Sequence, residues 1–341
     1  MEKLIIGTRG SALALAQTDL VIRQIKEKAP EVECEICIIT TKGDKILDKP
    51  LVEFGGKGVF VTEIEEKLKS GEIDLAVHSA KDMPMELAEG LAIIGVLKRE
   101  DPRDVLVTMD WEGFLQKEHP VIGTSSLRRQ IQIQQEFPDA ICQTLRGNVN
   151  TRLKKLEEGM YDGILLAAAG LRRLGLEKEE KFHYHVLDID RMIPAGGQGI
   201  IAVEGRKDSR FLGLLESITH EEAKIELELE RKALRLLEAG CHEPIGVFTR
   251  IEPETEERAA KEAEEETGKR TEEKTEGATA KEAENRKMNS MGAEHKKAAM
   301  SRVVSIWMCR EMDGQLKRKM TKVSLGRAET TLKELAEDLR K

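Results

Sequence analysis

The sequence predicts an α/β protein in which two α/β lobes are followed by a small α+β domain. Over about the first two hundred residues, short β-branched runs alternate with amphipathic helical patterns. The alternation restarts after a Pro-containing segment, "REDPRD". From about His220 onward it gives way to one long helical pattern, three strand patterns and a closing helix. A chain of 341 residues is long enough for roughly two or three such domains.

The first lobe opens with the strand pattern "KLIIGT", which is followed by the helical pattern "SALALAQTDLVIRQIKEKA". A second strand pattern, "ECEICIITT", precedes a Gly-rich loop and the helical pattern "VFVTEIEEKLKSG". The apolar runs "IDLAVHS" and "LAIIGVL" are typical of buried strands. Strands connected through helices predict a mostly parallel sheet that is covered by helices.

The second lobe is predicted from the strand patterns "VIGTSS", "AICQTL" and "GILLAAAGL". The run "MIPAGGQGIIAVEG" then has the features of a crossing back to the first lobe, and its glycines suit a hinge. We therefore assign residues 1–97 together with 197–216 to domain 1, and residues 101–193 to domain 2.

The third domain is assigned to residues 220–341. Its long helical pattern, "EEAKIELELERKALRLLEA", is predicted to be capped by Gly240. The strand patterns "IGVFTRI", "RVVSIWMCR" and "QLKRKMTKVSLG" and the helix "ETTLKELAEDLRK" complete it. Residues 252–300 contain no Val, Ile, Leu, Phe, Tyr, Trp or Cys. Such a charged insertion cannot bury enough apolar surface to offset chain entropy, which predicts disorder or a solvated helix there.

Composition excludes several classes of protein. There are 55 Lys and Arg residues against 63 Asp and Glu residues, and only 3% aromatic residues, which argues against a nucleic-acid partner. Five scattered cysteines do not suggest a secreted disulfide framework. The start "MEKLIIGTRG" has no signal-peptide pattern, and no apolar run is as long as a membrane span. We expect a cytoplasmic protein without a membrane partner.

Basic side chains follow the predicted strands. After "VIG", the candidate caps and hydrogen-bond donors are Thr124, Ser125 and Ser126. Arg128 and Arg129 fall in the first turn of the next helix. A cation at that end opposes the helix dipole, at a cost of about 0.3–1 kcal/mol each when exposed. An anionic ligand would reverse this cost.

The same pattern recurs at other strand ends. Arg9 and Ser11 follow the first strand, and Arg146 and Arg152 follow "ICQTL". Any one of these arginines alone is best explained as a solvated surface residue or as the partner of a nearby Glu. Their recurrence instead indicates a ligand with several carboxylates, each able to accept paired N–H bonds. The loop cations Lys57 and Lys81 add to this set.

One acid, Asp82 in "HSAKDMP", follows a buried strand and is expected to be the lone carboxylate among these cations. It could stabilise a cationic group or transition state on the ligand. A cap of the turn before Pro84 is an equally good explanation of this residue.

Among the cysteines, Cys241 is the candidate nucleophile, because "EAGCHEP" predicts a loop that exposes its thiol. Cys34 and Cys37 have CxxC spacing, but they lie in a strand pattern and would face opposite sides of a sheet. "HYH", residues 183–185, has no partner cluster in the sequence. We therefore predict no metal site.

Nine motifs in order resemble the porphobilinogen deaminase family, also called hydroxymethylbilane synthase. They are "GTRGSALALAQ", "GGKGVFVTEIE", "DLAVHSAKDMP", "REDPRD", "GTSSLRRQ", "LRGNVNTRL", "AAAGLRRLGL", "PAGGQG" and "GCHEPIG". The resemblance implies two lobes like those of type II periplasmic binding proteins, with a cleft between them, and a third domain. It implies a transferase of tetrapyrrole biosynthesis, as for haem and sirohaem, that joins four porphobilinogen units head to tail, with release of ammonia, into hydroxymethylbilane.

The resemblance also implies roles for single residues. Asp82 matches the catalytic aspartate, and Cys241 matches the cysteine that carries a dipyrromethane cofactor through a thioether. The residues that match binders of the acetate and propionate arms of cofactor and substrate are Arg9, Ser11, Lys81, Thr124, Ser126, Arg128, Arg129, Arg146 and Arg152. Those that match the same cleft less closely are Lys57, Ser79, Arg173 and Gln198.

Two further implications concern partners. The family resemblance implies a monomer whose small-molecule substrate is porphobilinogen and whose product passes to uroporphyrinogen-III synthase.

This chain has His242 and Glu243 after the cysteine where the family pattern differs, and the insertion at 252–300 is not part of that pattern. The alternative is a two-lobed carboxylate-binding module without catalysis, which explains the arginines and the hinge but leaves Cys241 without a role.

Overall fold

The computed structural model describes residues 3–41, 43, 61–238, 243–252 and 302–340. Within them lie two five-stranded sheets and one three-stranded sheet, each with helices packed on it. This confirms the predicted fold class of two α/β lobes and a small α+β domain. The predicted sites Lys57 and Cys241, the neighbouring His242, and all but the first residue of the predicted insertion 252–300 lie outside the described residues.

The first lobe contains the opening part of the chain. Its elements are β1 (Lys3–Thr8), α1 (Ala12–Lys28), β2 (Glu33–Ile38), α2 (Thr62–Ser70), β3 (Leu75–Ser79), a 3-10 turn (Ala80–Asp82) and β4 (Leu91–Val96). Ser11 begins α1, because its hydroxyl accepts a hydrogen bond from the backbone N–H of Ala14 at 3.2 Å. Gly71 ends α2 in the left-handed conformation that suits a glycine.

The second lobe follows, and the chain then returns to the first. Its elements are β5 (Asp104–Thr108), α3 (Trp111–Gln116), β6 (Val121–Gly123), α4 (Leu127–Glu136), β7 (Ile141–Gln143), α5 (Val149–Glu157), β8 (Gly163–Ala167), α6 (Ala168–Arg173), a 3-10 turn (Leu176–Lys178) and β9 (His183–Val186). The returning elements are β10 (Ile201–Arg206) and α7 (Leu212–Ile218).

The third domain consists of α8 (Glu221–Leu236), β11 (Ile245–Ile251), β12 (Val303–Met312), β13 (Gln315–Ser324) and α9 (Leu325–Arg340). Helix α8 ends before the predicted cap at Gly240. The reason is local, because Leu237 closes the last turn and Glu238 already adopts a left-handed backbone with φ of 54°.

Each lobe has one reversed strand. The sheet orders are β2-β1-β3-β10-β4 and β7-β6-β8-β5-β9. Strand β10 is antiparallel to both its neighbours, and so is β5, while the other described pairs in the two lobes are parallel. In each sheet four of the five strands therefore run in the same direction, in agreement with the predicted mostly parallel sheet, but only two of the four described pairs are parallel. The reversed strand is in each case the one that follows a crossing between the lobes.

This reversal places the start of each crossing strand beside the carboxyl ends of the other strands. Asp104, the first residue of β5, pairs with Ala167, the last residue of β8. Ile201 pairs with Ser79 at the end of β3 in the same way. Ligands of open α/β sheets bind outside the carboxyl ends of strands. Both crossings therefore lie at the edge of the sheets where a ligand would bind.

The two crossings lie side by side. The backbone N–H of Glu100 donates to the Gly199 carbonyl at 3.1 Å, and that of Leu97 donates to the Ile201 carbonyl at 3.0 Å. Gly199 has φ of +89°, and a Cβ at this position would lie 2.3 Å from the Glu100 carbonyl oxygen. The glycine is therefore required for close approach of the two crossings.

The cores form on both faces of each lobe sheet. In the first lobe, Leu4 and Ile25 belong to the core under α1, whereas Ile64 belongs to the core under α2. Cys34 packs against the first of these cores and Cys37 against the second, on opposite sides of β2 as predicted. Full burial of such Leu and Ile side chains contributes about 1.5–3 kcal/mol each.

The third domain has its own core, in which α8 and α9 pack on the three-stranded sheet through residues such as Leu229, Ile306 and Leu332. In the part of the chain that the structure describes, no helix combines the length and the apolarity needed to cross a bilayer.

Candidate active site

The predicted binding residues that fall in the described ranges lie at carboxyl ends of strands in both lobes, or on the return crossing. Arg9 and Ser11 follow β1, and Ser79, Lys81 and Asp82 lie at the end of β3. The second lobe contributes Thr124, Ser126, Arg128 and Arg129 after β6, Arg146 and Arg152 after β7, and Arg173 after β8. Gln198 lies on the return crossing just before β10.

Asp82 closes the 3-10 turn that follows β3. The turn is tied at both ends, since the Met83 N–H donates to the Ala80 carbonyl at 3.2 Å and the Ala80 N–H donates to the Ile200 carbonyl at 3.0 Å. Asp82 is exposed, whereas Lys81 beside it is half-buried. The turn thus presents a carboxylate to solvent while its ammonium neighbour lies deeper.

Lys81 is held at the contact between the lobes. Its Nζ donates to Oε1 of Gln198 at 3.4 Å. Burial lowers the pKa of Lys81 to about 8; Asp82 and Asp104 oppose this shift, and Arg129 and Arg128 add to it. The carboxylates of Asp82 and Asp104 therefore offset only part of the cost of burying the charged form of Lys81.

Arg128 and Arg129 occupy the first turn of α4, as predicted, and both are buried. They share the carboxylate of Asp104: Arg128 Nη1 lies 2.8 Å from Oδ2, and Arg129 Nη2 lies 2.7 Å from Oδ1. Burial raises the pKa of Asp104, but the two guanidinium groups outweigh it and hold that pKa well below its usual range. Two positive charges therefore surround one negative charge.

This pairing corrects the expectation that Asp82 is the lone acid in the cleft. Asp104 is a second acid, and it supplies part of the negative charge that α4 requires at its N-terminus, where the first turn contains no acidic residue. Asp104, Arg128 and Arg129 together still have a net positive charge, which favours an anion beside them.

The hydroxyl residues near α4 differ in their bonding. The backbone N–H of Ser126 donates to Oγ1 of the buried Thr124 at 3.2 Å. Ser126 occupies the N-cap position, but its side chain makes no capping hydrogen bond in α4. Both residues are at the predicted place, but only Thr124 supports the loop through its side chain.

Three further arginines line the second lobe. Burial lowers the pKa of Arg152 to about 10, helped by Arg129 and Arg146, whereas Asp82 acts in the opposite direction. Burial also lowers the pKa of Arg173 to about 10. Arg152 donates to the Gly147 carbonyl at 2.8 Å. Arg173 Nη2 donates to the Gly199 carbonyl at 2.6 Å. Arg152 and Arg173 thus bond to backbone carbonyls in these contacts, and neither contact supplies a carboxylate for their charge.

In the first lobe, Arg9 is half-buried after β1. Ser79 is bonded to the buried Gln17, whose Nε2 donates to Ser79 Oγ at 2.8 Å. Gln17 was missed in the sequence because a glutamine on the buried face of a helix has no distinctive pattern. It fixes the hydroxyl at the end of β3 from the side of α1.

Gln198 is the point where both lobes and the third domain meet. Its Nε2 donates to Oδ1 of Asp104 at 2.9 Å and to the Pro102 carbonyl at 2.6 Å. Its own carbonyl accepts a hydrogen bond from Nε of Arg99 at 3.0 Å, and Arg99 also pairs with Glu230 of α8. The side chain is fully buried, so these bonds determine its orientation.

The set of cations suits a ligand with several carboxylates. Lys81, Arg152 and Arg173 each carry a charge that burial disfavours, and bound carboxylates would stabilise the charged forms. A dipyrromethane bears acetate and propionate side chains, so the donor groups present fit its acidic arms. The residues that would hold those arms come from both lobes.

A protein-family model matches residues 4–212, and its description is porphobilinogen deaminase, dipyromethane cofactor binding domain. The porphobilinogen deaminase of Alkaliphilus metalliredigens is 49% identical over 252 residues, which cover 73% of this chain and 78% of that protein. That of Sulfurimonas denitrificans is 43% identical over 248 residues, covering 72% and 79%. That of Streptococcus sanguinis is 45% identical over 254 residues, covering 73% and 83%.

Among solved structures, a periplasmic binding protein of Salmonella typhimurium with high arginine specificity is similar at 12% identity and a TM-score of 0.37, covering 66% of this chain and 94% of that one. The LysR family regulator CbnR is similar at 11% identity and a TM-score of 0.41, covering 64% and 68%. The family model matches more than half of this chain, and the relatives match it over most of their own length. This chain belongs to the porphobilinogen deaminase family.

Proposed function

We propose that this protein joins four porphobilinogen units head to tail, releasing ammonia at each addition, to form hydroxymethylbilane. Family membership supplies the reaction. The observation that carries the assignment to this chain is the cleft itself, in which under-compensated cations of both lobes lie beside one exposed carboxylate, Asp82. The substrate has the matching chemistry, with two acidic arms and an aminomethyl group that leaves as ammonia.

The cations bind and orient the acidic arms. A carboxylate can bind to Arg152 and Arg173 of the second lobe and to Lys81 of the first. A guanidinium group donates paired hydrogen bonds to such a carboxylate. Because the cations lie on both sides of the cleft, bound arms would bring the lobes together. Ordered arms hold the reacting ring in one position, which lowers the entropic cost of coupling.

Asp82 is the residue we assign to the chemistry. Positive charge develops on the pyrrole as the amine leaves, and a fixed carboxylate stabilises such charge. The tied 3-10 turn holds this carboxylate in place, and the structure leaves it exposed beside the half-buried Lys81. The bound dipyrromethane supplies the ring to which the first substrate unit is joined.

We assign attachment of the dipyrromethane to Cys241 by its match to the family motif. The two ends of the loop that contains it are both bonded to Arg310 of β12: Nη1 donates to the Leu237 carbonyl at 3.2 Å, and Nη2 lies 3.2 Å from Oε2 of Glu243. Glu243 is one of the residues that depart from the family pattern. Its ion pair with Arg310 attaches the end of the loop that follows Cys241 to β12.

Intact-protein mass spectrometry tests this proposal. The purified protein should carry an added mass equal to a dipyrromethane, which should be absent from Cys241→Ser. A matched control, Cys142→Ser, changes a half-buried thiol in the second lobe and should keep the adduct. The modified protein should also give the colour reaction of dipyrroles with acidic dimethylaminobenzaldehyde.

Two outcomes would contradict the proposal. An unmodified protein that consumes porphobilinogen at full rate would remove the role of Cys241. A protein that binds carboxylates but carries no adduct and leaves porphobilinogen unchanged would be a binding module without catalysis.

We further propose that the protein works in the cytoplasm as a monomer. The described cleft receives residues from both lobes of a single chain, which supports a site complete within one subunit. Because the product is a linear tetrapyrrole, the next step must close a ring, and we propose uroporphyrinogen-III synthase as the enzyme that receives it. Size-exclusion chromatography with light scattering measures the oligomeric state.

A further inference from the structure

We infer that Asp104 is a positioning residue that acts through Gln198 on Lys81, and so sets the orientation and charge of the cation beside the catalytic turn. The inference rests on the proposed function, since it assigns Lys81 to the acidic arms of the substrate. Asp104 itself does not face the ligand. It connects the buried arginines of the second lobe to the lysine of the first.

The contacts of Asp104 are those of a fully enclosed acceptor. Its carboxylate has no solvent exposure and receives four close nitrogen atoms: Arg128 Nη1 at 2.8 Å, Arg129 Nε at 3.1 Å, Arg129 Nη2 at 2.7 Å and Gln198 Nε2 at 2.9 Å. An exposed linker acid would not need this number of donors. The reversed direction of β5 places the carboxylate at the site edge.

The bonds to Asp104 and to Pro102 together decide which way the Gln198 amide faces. Its NH2 group donates both to Asp104 and to the Pro102 carbonyl, so its single oxygen must point the other way. That oxygen accepts the hydrogen bond from Lys81 Nζ at 3.4 Å. The backbone of Gln198 is fixed independently, because Arg99 Nε donates to its carbonyl at 3.0 Å.

Asp104 also affects the charge of Lys81. The charged groups that act on the ammonium are Asp82 of its own turn, Arg128 and Arg129 of α4, and Asp104 of β5. Without the negative charge of Asp104, the ammonium would be near two guanidinium groups that have lost their shared partner. A neutral Asp104 substitute should therefore favour the uncharged amine.

The variant Asp104→Asn removes the charge with almost no change in shape. Carboxylate binding should be lost as the pH rises. In Asp104→Asn we expect this loss to occur at a pH about 0.5–1 unit lower than in wild type, a smaller shift than removal of a directly contacting charge would cause. Trimesate, a benzene tricarboxylate, is the probe, and its binding is measured by calorimetry between about pH 6.5 and 9.5. For porphobilinogen, KM should rise several-fold in the alkaline range while kcat changes little.

A matched control is Asp162→Asn. Asp162 lies in the same lobe but at the opposite end of the sheet, where its carboxylate accepts from the Val121 N–H at 2.8 Å and pairs with Lys117 at 2.5 Å. Its substitution should lower thermal stability without moving the pH dependence of trimesate binding. A shift of equal size in both variants would overturn the inference.

Gln198→Met keeps the test available if Asp104→Asn does not fold. It leaves the pairs of Asp104 with the arginines in place but removes the amide that orients Lys81. We expect a rise in the KM for porphobilinogen, with a shift in the pH dependence of trimesate binding that is smaller than the shift of about 0.5–1 unit expected for Asp104→Asn. Folded variants that differ from wild type only in melting temperature would overturn the inference.

The binding probe separates this inference from the proposed function. If the wild-type protein does not consume porphobilinogen but Asp104→Asn still shifts trimesate binding, the proposed function fails and the positioning role stands. If turnover is normal and neither variant shifts the binding, the positioning role fails and the function stands.

Discussion

Arg99 Nη2 lies 2.6 Å from Oε2 of Glu230, and this ion pair joins the first crossing between the lobes to helix α8 of the third domain. The same Glu230 oxygen accepts the backbone N–H of Gly197 on the return crossing at 2.6 Å. Both crossings are thus attached to one carboxylate. The third domain therefore fixes the connections through which the two lobes can move relative to each other.

Replacing Arg99 should destabilise the protein strongly. Arg99→Leu leaves the buried carboxylates of Glu226 and Glu230 without their cation, and loss of one partner of a buried pair costs about 3–5 kcal/mol. Urea denaturation measures the free energy of unfolding. The control Arg191→Leu breaks a pair with Glu136 in which the two side chains are 59% and 26% exposed, so it should cost at most about 1 kcal/mol. Equal losses in the two variants would contradict this assignment.

Asp82→Asn should separate catalysis from binding. The exposed side chain makes no contribution to the core, so folding and the attached dipyrromethane should be retained. Loss of the charge should reduce kcat by about 100-fold or more, as for other groups that stabilise transition-state charge, with little change in KM. Steady-state kinetics and intact mass measure the two effects. Glu86→Gln alters another exposed acid four residues on and should keep normal turnover; normal turnover in Asp82→Asn would remove its catalytic role.

The lowered pKa of Lys81 predicts opposite pH effects on stability and on binding. Between about pH 8 and the ordinary lysine pKa of about 10.4, the unfolded chain binds more protons at this position. The contribution of Lys81 to the free energy of unfolding therefore rises with pH in that window. A bound carboxylate favours the charged form, so ligand affinity should fall as the pH rises through about 8.

The difference between wild type and Lys81→Gln isolates this contribution. Melting temperatures of the ligand-free proteins should converge as the pH rises from about 8 to about 10, because wild type loses its disfavoured charge. Trimesate affinity should lose most of its dependence on pH in the variant. A constant difference in melting temperature across this range would contradict the assigned pKa of Lys81.

Arg152→Gln should stabilise the ligand-free protein while weakening substrate binding. Burial and the nearby Arg129 and Arg146 disfavour the charge of Arg152, so its removal should relieve about 1 kcal/mol and raise the melting temperature by about 2–4 °C. Loss of a guanidinium–carboxylate contact should raise KM at least several-fold.

The control for this trade-off is Lys154→Gln in the same helix. Lys154 is exposed and pairs with Glu158 at 3.7 Å, so its substitution should leave both stability and KM almost unchanged. A fall in the melting temperature of Arg152→Gln, with no change in KM, would show that Arg152 supports the fold instead of the ligand.

Much of the site could be predicted from local patterns. Arg128 and Arg129 were recognisable because both lie in a first helical turn, where the helix dipole disfavours a cation, and Arg152 because basic residues recur after the predicted strands. The position of Asp82 directly after a buried strand was also evident. These features depend on residues close together in the chain, so spacing alone reveals them.

Asp104 could not be predicted in the same way. In the sequence it ends a Pro-containing linker, and nothing local indicates that the following strand is reversed. Only that reversal places its carboxylate beside Arg129 and near Lys81 of the other lobe. The partners are distant in sequence, and a single chain carries no signal for such contacts.

By itself, the sequence determined the alternation of strands and helices, the lobe-and-domain organisation and the excess of cations at strand ends, because apolar periodicity and helix termini are local properties. The tertiary structure alone decided how those cations are compensated. Chain crossings bring Asp104, Gln198 and Glu230 against the arginines and the lysine, and burial then alters the cost of each charge. Charge compensation depends on distance and desolvation, which only the folded chain defines.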